Sequence, residues 1–450
     1  MTGKYDLVVV GGGISGSIAA IAAARMGVDT LLIEQYGFLG GSLTANGVGP
    51  MMTFHAGDEQ VVQGITGEMI DRLVKKGKSP GHIFDTTGYT YSVTPFDAEA
   101  MKHELEIMLL EAGGKILYHT MLAAVTTQDD KIISITVCNK DGLSEINGEL
   151  FIDATGDGDL ASRAGVPYQK GRKKDGQNQP MTMNLKMGNV DIARVRAYIK
   201  EHPEEFPRLN NDTSIIDRAN RLSIGGFVRT LEKAKKEGAI TFEREDILFF
   251  ETNNPGEVII NVTRILNHDA TDAGSLSEAE IEGRRQVREL EAFMKERIPG
   301  FENAHVLFSG PNIGIRSSRQ IEGVYTLTAE DILECRQFED TIAHGGYPID
   351  IHSPDGEGTF SQHLEWGDIY SIPYRTLIND HIKNIITVGR CISVTFEAQA
   401  AIRVSPIAGA IGHAGGAAAA LVIKDKKLPA EIDIKKLQNA IREQGGYLLI

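Results

Sequence analysis

The sequence contains little cysteine. Only Cys138, Cys335 and Cys391 occur among 450 residues, and they are far apart with no C-x-x-C spacing. We therefore expect no disulfide framework, no metal or iron–sulfur site, and no cysteine pair for thiol chemistry. The low cysteine content without paired spacing is typical of a protein in a reducing compartment, so we expect a cytoplasmic location.

Positive charge is also scarce. Lys and Arg number 46 against 61 Asp and Glu, which gives a formal net charge of −15. Such a surface repels a phosphate-rich polymer, so we expect no nucleic-acid partner. A small anionic substrate stays compatible with this charge, because a few arginines in a cleft can dominate the local potential.

Long apolar runs are nearly absent. The first ten residues lack the basic, apolar and cleavage regions of a secretory signal, so export by that route is not expected. Residues 404–423 are long enough to cross a bilayer and contain Gly412-x-x-x-Gly416, a spacing found in packed membrane helices. They are mostly alanine and glycine and begin at Ser405-Pro406, an N-cap followed by proline. We therefore predict a buried helix and no membrane span.

What the sequence does contain is a glycine turn between a strand and a helix. Residues 6–10 are predicted as a strand, 14–26 as an alanine-rich helix, and 30–33 as a second strand that ends at Glu34. Short connections and apolar strands predict a parallel pair joined by a helical crossover. This is the nucleotide-binding half of a doubly wound sheet.

The turn has the pattern G-x-G-x-x-G at Gly11, Gly13 and Gly16. These glycines permit the tight turn, the approach of a pyrophosphate and the close packing of helix on strand, respectively. The diphosphate would lie at a helix N-terminus, where free amides and the helix dipole favour negative charge. Glu34 is placed to accept hydrogen bonds from adenosine ribose hydroxyls. The motif predicts a dinucleotide but does not choose between FAD and NAD.

Further elements follow along the chain. A helix is predicted from the cap at 94–97 to Gly113-Gly114, and a long helix from a capping box at Ser277 and Glu280 to about Arg297. Runs typical of strands occur at 116–118, 122–127, 132–137, 149–153, 257–262 and 384–388.

These elements predict an α/β fold in which a discontinuous Rossmann-like dinucleotide domain contains an inserted α+β domain. The dinucleotide domain is predicted over 1–170 and 375–450. The inserted substrate or cap domain is predicted over 171–374, beginning at a polar, glycine-containing stretch.

Three segments together resemble the signature of two-dinucleotide-domain FAD flavoproteins. They are the turn at Gly11, the strand end at Ala154-Thr155-Gly156, and the late strand end at Gly389-Arg390. Nearly the whole chain also resembles an FAD-dependent oxidoreductase family related to the fumarate-reductase and heterodisulfide-reductase flavoproteins. The matching segments are 10–50, 152–159, 299–302, 314–319, 327–331, 347–352 and 389–406.

The resemblance implies FAD as the cofactor. It implies that the residues near FAD are Gly11, Gly13, Gly16, Glu34, Gly40, Gly41, Gly156, Asp157, Gly389 and Arg390. The helix start at 405–407 is expected to face the flavin pyrimidine ring, where its dipole would stabilise negative charge at N1–C2=O. The chain has no recognisable fumarate-reductase arrangement of arginine and histidine, so the relatives' substrates do not transfer.

Flavin chemistry needs a substrate held against N5 and a group that moves a proton. Arg316 and Arg319 could clamp a substrate carboxylate, or could form ion pairs at the domain junction. His352 alternates with Asp350, so an extended chain would bring both to one side. The carboxylate would then raise the basicity of the imidazole. A purely structural histidine is the alternative.

Two more residues complete this set. Arg403, just before the late helix, could face the flavin or the substrate, or could pair with Glu397. His55 is a further candidate, with simple exposure as the alternative. The catalytic residues that we predict are His352, Arg316, Arg319 and Arg403.

The sequence therefore predicts an FAD-dependent oxidoreductase that transfers hydride between flavin N5 and a small polar substrate, which can carry a carboxylate. The electron acceptor and the oligomeric state are left open, with a homo-oligomer as one option. One alternative is an ene-reductase of an unsaturated acid. Another is a flavin-carrying electron-transfer subunit that acts with a partner protein.

Overall fold

The computed structural model describes residues 3–356 and 358–449. The strands are β1 (Lys4–Val10), β2 (Thr30–Ile33), β3 (His55–Ala56), β4 (Glu59–Gln60), β5 (Ile83–Phe84), β6 (Ser92–Val93), β7 (Lys115–Leu117), β8 (Met121–Gln128), β9 (Lys131–Asn139), β10 (Gly142–Asp153), β11 (Tyr168–Lys170), β12 (Leu185–Gly188), β13 (Ser223–Gly226), β14 (Ile247–Glu251), β15 (Val258–Ile260), β16 (His305–Phe308), β17 (Arg319–Ile321), β18 (Thr341–Gly345), β19 (Ile349–His352), β20 (Thr359–Gln362), β21 (Tyr370–Pro373) and β22 (Ile385–Thr387).

The helices lie between these strands and after the last of them. They are α1 (Ile14–Arg25), α2 (Ser42–Ala45), α3 (Gly64–Lys75), α4 (Ala98–Glu111), α5 (Asp159–Arg163), α6 (Ile192–Glu201), α7 (Val228–Lys236), α8 (Ala273–Arg297), α9 (Ala329–Leu333), α10 (Phe396–Ile402), α11 (Ser405–Asp425) and α12 (Ile434–Glu443).

The central sheet has the strand order β7-β2-β1-β10-β9-β8, and β22 also pairs with β10. Strands β7, β2, β1, β22 and the end of β10 run parallel, whereas β8 and β9 continue the sheet as an antiparallel meander. Val10 lies opposite both Ile33 and Asp153, and Asp153 lies opposite Thr387. The carboxyl ends of four strands therefore meet at one edge, where ligands of such sheets bind. The predicted Rossmann-like α/β class is confirmed.

Helices α1 and α11 pack backbone to backbone beneath this sheet. A Cβ on Gly412 would lie 2.2 Å from the carbonyl oxygen of Ser15, and one on Gly416 would lie 2.1 Å from that of Ala19. The small residues of α11 therefore allow its approach to α1. In the most apolar 18-residue window of α11, 83% of the residues are buried inside the protein. The helix is long and apolar enough to cross a membrane, but it packs in the core, as the sequence predicts.

A second sheet is antiparallel, with the order β13-β14-β15-β12-β16, and α8 packs with it. Its core includes Leu185, Phe249 and Leu290 and is separate from the core around α1 and α11. Farther along the chain, Leu327 and Tyr370 pack with the first core. The exact limits of the two predicted domains stay a prediction.

Two predicted helix starts are wrong by one to four residues. Helix α8 begins at Ala273, because the side chain of Asp272 caps it by accepting from the N–H of Ser275. Ser277 lies inside α8 and donates its hydroxyl to the carbonyl of Ala273, so it forms no capping box. In α11 the N-cap is Val404, and Ser405 is already helical.

Candidate functional site

A cavity of ≈ 970 Å³ extends from the carboxyl edge of the central sheet to the second sheet. This volume is at the upper end of the range of about 300–1,000 Å³ that is typical of ligand sites. The lining comes from the ends of β1, β2 and β10, the loop after β22, the start of α11, strand β19, and residues of β14.

The glycine turn after β1 forms one wall of this cavity. Gly11 has a φ of +100°, and a Cβ there would lie 2.5 Å from the carbonyl oxygen of Ala154. Gly13 lines the cavity and is the N-cap of α1, where no described side chain caps the helix. Gly16 lies behind the turn, and a Cβ there would lie 1.9 Å from the carbonyl oxygen of Gly11. The first amides of α1 are thus available to an anion in the cavity.

Glu34 lines the cavity at the end of β2. Its two carboxylate oxygens accept the N–H groups of Gly12, at 2.6 Å, and Tyr36, at 2.8 Å. Burial raises the pKa of Glu34, and these backbone hydrogen bonds oppose the rise. Each oxygen keeps a second lone pair, so the carboxylate can also accept from two ligand hydroxyls.

The other residues predicted near the cofactor, Gly40, Gly41, Gly156, Asp157, Gly389 and Arg390, also line the cavity. Asp157 pairs with the guanidinium of Arg390 and accepts the hydroxyl of Ser318 at 2.5 Å. This pairing ties the end of β10 to the loop after β22. Of the cofactor residues that we predicted, Gly16 alone lies behind the wall.

Strand β19 brings His352 and Asp350 to one side, as their alternation predicts. His352 Nε2 lies 3.4 Å from Asp350 Oδ2, and Tyr347 donates its hydroxyl to the same oxygen at 3.4 Å. All three residues line the cavity. Burial alone would raise the pKa of Asp350, but the hydrogen bond with His352 and the charges of Arg403 and Arg316 hold it below its usual value.

Asp350 raises the basicity of His352, as predicted, but the net shift of the His352 pKa is downward. Its pKa is lowered to about 3, first by burial and then by the positive charge of Arg316, and Asp350 offsets only part of this. The imidazole is therefore neutral near pH 7. The prediction included only the effect of the Asp350 carboxylate and left out the positive charges of the nearby arginines.

Arg316 and Arg403 both line the cavity, and they differ in their partners. The guanidinium of Arg316 donates to the carbonyl oxygen of Pro180 at 2.6 Å and to the hydroxyl of Thr182. No carboxylate in the described ranges lies at ion-pair distance from it. Arg403 lies 3.6 Å from Asp350 Oδ2, so its acidic neighbour is Asp350 and not Glu397, the partner in the alternative prediction.

Desolvation, and then the charges of Arg403 and Arg244, lower the pKa of Arg316 well below its ordinary value. A guanidinium keeps its proton in proteins, so this shift indicates a site that favours an added anion.

Arg319 and His55 lie away from the cavity lining. Arg319 donates to Asp159 Oδ1 and to the carbonyl oxygen of Asp157, both at 3.0 Å, and this matches the ion-pair alternative. Nδ1 of His55 lies 2.7 Å from the hydroxyl of Ser92.

The sequence reasoning missed several residues that line the far side of the cavity, among them Tyr89, Arg208, Arg244 and Asn261. Arg244 lies in Glu243-Arg244-Glu245-Asp246, which has the composition of a solvated charged loop. Its side chain is nevertheless only 3% exposed. No local pattern could have identified it, because its burial depends on the packing of the second sheet.

The cavity fits FAD on three observations. A Cβ on Gly13 would meet only the Cα of Gly41, at 3.9 Å, so the backbone is open to a close diphosphate. The carboxylate of Glu34 has acceptor capacity left for a ribose. The N-terminus of α11 has no side-chain cap from the described residues, and Val404 and Ser405 line the cavity.

A family model described as "FAD dependent oxidoreductase" matches residues 6–441. Over 163 residues, 36% of this chain, the sequence is 27% identical to digeranylgeranylglycerophospholipid reductase 2 of Methanopyrus kandleri. A protein of the same name from Methanothermobacter thermautotrophicus is 24% identical over 164 residues, again 36% of this chain. The matches cover 39% and 42% of those relatives, about two fifths of their length.

Among solved structures, the chain is similar to a geranylgeranyl bacteriochlorophyll reductase-like protein from Thermoplasma acidophilum. The TM-score is 0.49 and the identity 13%, over 99% of this chain and 84% of that one.

Proposed function

Because the chain belongs to the FAD dependent oxidoreductase family, we propose that it transfers hydride between flavin N5 and a small polar substrate that carries a carboxylate. Family membership makes the protein an FAD-binding enzyme. The substrate class, the direction of transfer and the residues that act are the proposal.

The residues around the cavity suit distinct parts of FAD. The first amides of α1, at Ile14 and Ser15, would hold the diphosphate, and Glu34 would hold the adenosine ribose. Gly389 would allow close approach of the ribityl chain, and the start of α11 at Ser405 would face the ring system. Bound FAD supplies the carrier of hydride, and the protein supplies orientation and proton handling.

The observation that carries the proposal is the unpaired charge of Arg316. A guanidinium that is largely removed from water is costly unless an anion lies beside it. Arg316 has only neutral hydrogen-bond acceptors within the described chain, and it lines the same cavity as the glycine turn. A substrate carboxylate would form charge-assisted, bidentate hydrogen bonds with it.

His352 is the proposed proton-transfer group. Its imidazole is neutral in the free protein, partly because the charge of Arg316 lowers its pKa. A carboxylate bound to Arg316 would neutralise that charge, so the proton affinity of His352 rises when substrate binds. Asp350, 3.4 Å from Nε2, would orient the ring and stabilise its protonated form.

The test is anaerobic reduction of the FAD-loaded protein by a panel of hydroxy and amino acids and by their methyl esters. We expect reduction by an acid and not by its ester. In Arg316→Met the Kd for that acid should rise by about 10–150-fold, as for other lost charged hydrogen bonds. Arg288→Gln is the matched control, because Arg288 is 81% exposed and its one ion-pair partner within the described ranges is Glu291. Equal reduction by acid and ester would refute the proposal.

A second candidate is the reduction of an unsaturated acid, which the reductase names of the curated relatives favour. It uses the same arginine for the carboxylate and His352 for the proton, with hydride transfer in the opposite direction. Reoxidation of the chemically reduced protein by enoates, without reduction of the oxidised protein by any acid, would select it. Failure of both reactions would favour an electron-transfer subunit.

A further inference from the structure

The part of the cavity that faces the second sheet has an excess of positive charge. The guanidinium groups that line it are those of Arg208, Arg244, Arg316 and Arg403. Of the carboxylates in residues 3–356 and 358–449, Asp246 and Asp350 lie among them. The neighbouring Arg264 is balanced by Glu245 at 3.0 Å. Among the residues that the structure describes, two positive charges are therefore unbalanced in this region.

The four arginines form two groups. Asp246 lies 2.8 Å from Arg208 Nε and 3.8 Å from Arg244 Nη2, so one carboxylate serves two cations. Arg244 and Asp246 lie in the loop before β14, and Arg208 lies before β13, beside the second sheet.

The other group is Arg403 with Arg316, beside β19 and the start of α11. Here Asp350 is shared between Arg403 and His352, and Arg316 has no acidic partner in the described ranges. Each group thus has one positive charge in excess.

These charges are held at a free-energy cost. The side chain of Arg244 is 3% exposed, and burial lowers its pKa. A guanidinium does not lose its proton to relieve such a cost, so the cost is offset only when an anion binds. Arg208 is 38% exposed and still lines the cavity, so it lies where a ligand and solvent both reach it.

Apolar side chains line the same region. Leu248 and Phe250 on β14 and Ile313 before β17 contribute to the lining. A ligand with a charged group at each end and a short hydrocarbon middle would match two arginine groups within an apolar wall.

We infer that the substrate is a dicarboxylate. One carboxylate binds Arg316 and Arg403, next to His352 and the reacting carbon. The other binds Arg244 and Arg208, beside the second sheet, and fixes the orientation and length of the substrate. The inference rests on the proposed carboxylate site and adds a second anion subsite to it.

The test is calorimetric titration of the FAD-loaded protein with malonate, succinate and glutarate, and with the monocarboxylates of the same chain lengths. For one of these chain lengths, the dicarboxylate should bind at least about 10-fold more tightly than the monocarboxylate of the same length, because it forms additional charged hydrogen bonds. Arg244→Met should remove this advantage, and it should weaken binding of the monocarboxylate less than that of the dicarboxylate, because Arg244 affects the monocarboxylate only through its charge near Arg316. Arg208→Gln repeats the test at a side chain that is partly exposed, and Arg288→Gln is the control.

The outcomes separate this inference from the proposed function. Equal binding of the two ligand classes, with both weakened in Arg316→Met, would overturn the dicarboxylate and keep the carboxylate site. No binding of either class would overturn both. Glycerol 3-phosphate is included as a compact dianion. Tighter binding of this probe than of every dicarboxylate would also overturn the inference.

Discussion

The close packing of α1 on α11 predicts that Gly412→Ala harms both stability and FAD binding, although alanine favours a helix. The new Cβ would lie 2.2 Å from the carbonyl oxygen of Ser15. Backbone lies on both sides of this contact, so no flexible side chain can move to relieve it. The two helices must separate by about 1 Å to restore an ordinary contact distance.

The magnitude follows from two opposed effects. Overpacking of this kind costs about 1–3 kcal/mol in the free energy of unfolding. Replacing glycine by alanine within a helix raises the free energy of unfolding by about 1 kcal/mol. The apoprotein should therefore lose up to about 2 kcal/mol.

Ser15 lies in the first turn of α1, so the same shift moves the amides of the proposed diphosphate site. A donor–acceptor distance that increases by about 1 Å lies outside the range of a hydrogen bond. We therefore expect the Kd for FAD to rise about 10–100-fold.

The assay is urea unfolding of the apoprotein, together with fluorescence titration of FAD. Gly67→Ala in α3 is the matched control, because a Cβ there meets only Gln60, at 3.8 Å. Gly416→Ala, one turn deeper along α11, should lose similar stability with less effect on FAD. If Gly412→Ala stabilises the apoprotein as much as Gly67→Ala and leaves the Kd for FAD unchanged, the packing argument is refuted.

Three further changes test the site. Glu34→Gln should weaken FAD binding about 10-fold, because a neutral amide accepts the N–H of Gly12 and the ribose hydroxyls less strongly than a carboxylate does. Equilibrium titration measures this change. Glu201→Gln is the control, because Glu201 is exposed, and it should leave FAD binding unchanged. Asp153→Ala should cost about 1–3 kcal/mol in urea unfolding, because it leaves the buried N–H of Ala161 and the partly buried N–H of Thr155 unpaired. His352 has its pKa lowered from 6.5 to about 3, so unfolding takes up a proton between these values. Its contribution to stability is complete above pH 6.5 and is lost as the pH falls towards 3, and His352→Gln should flatten this slope in urea unfolding measured across pH.

The dinucleotide end of the site could be read from the sequence because its signals are local. Gly11, Gly13 and Glu34 lie within one strand–helix–strand unit, whose periodicity and turn residues specify its geometry. The alternation of Asp350 and His352 likewise predicts their proximity, since side chains two apart on a strand share a side.

The sequence by itself thus determined the α/β class, the glycine turn with its carboxylate, and the buried nature of α11, because each follows from a short pattern of residues. Only the tertiary structure decided which cations share the cavity. Arg244 and Arg403 are 159 positions apart and come from different parts of the fold. The lowered pKa of His352 has the same origin, because desolvation and the field of distant arginines depend on the packed chain.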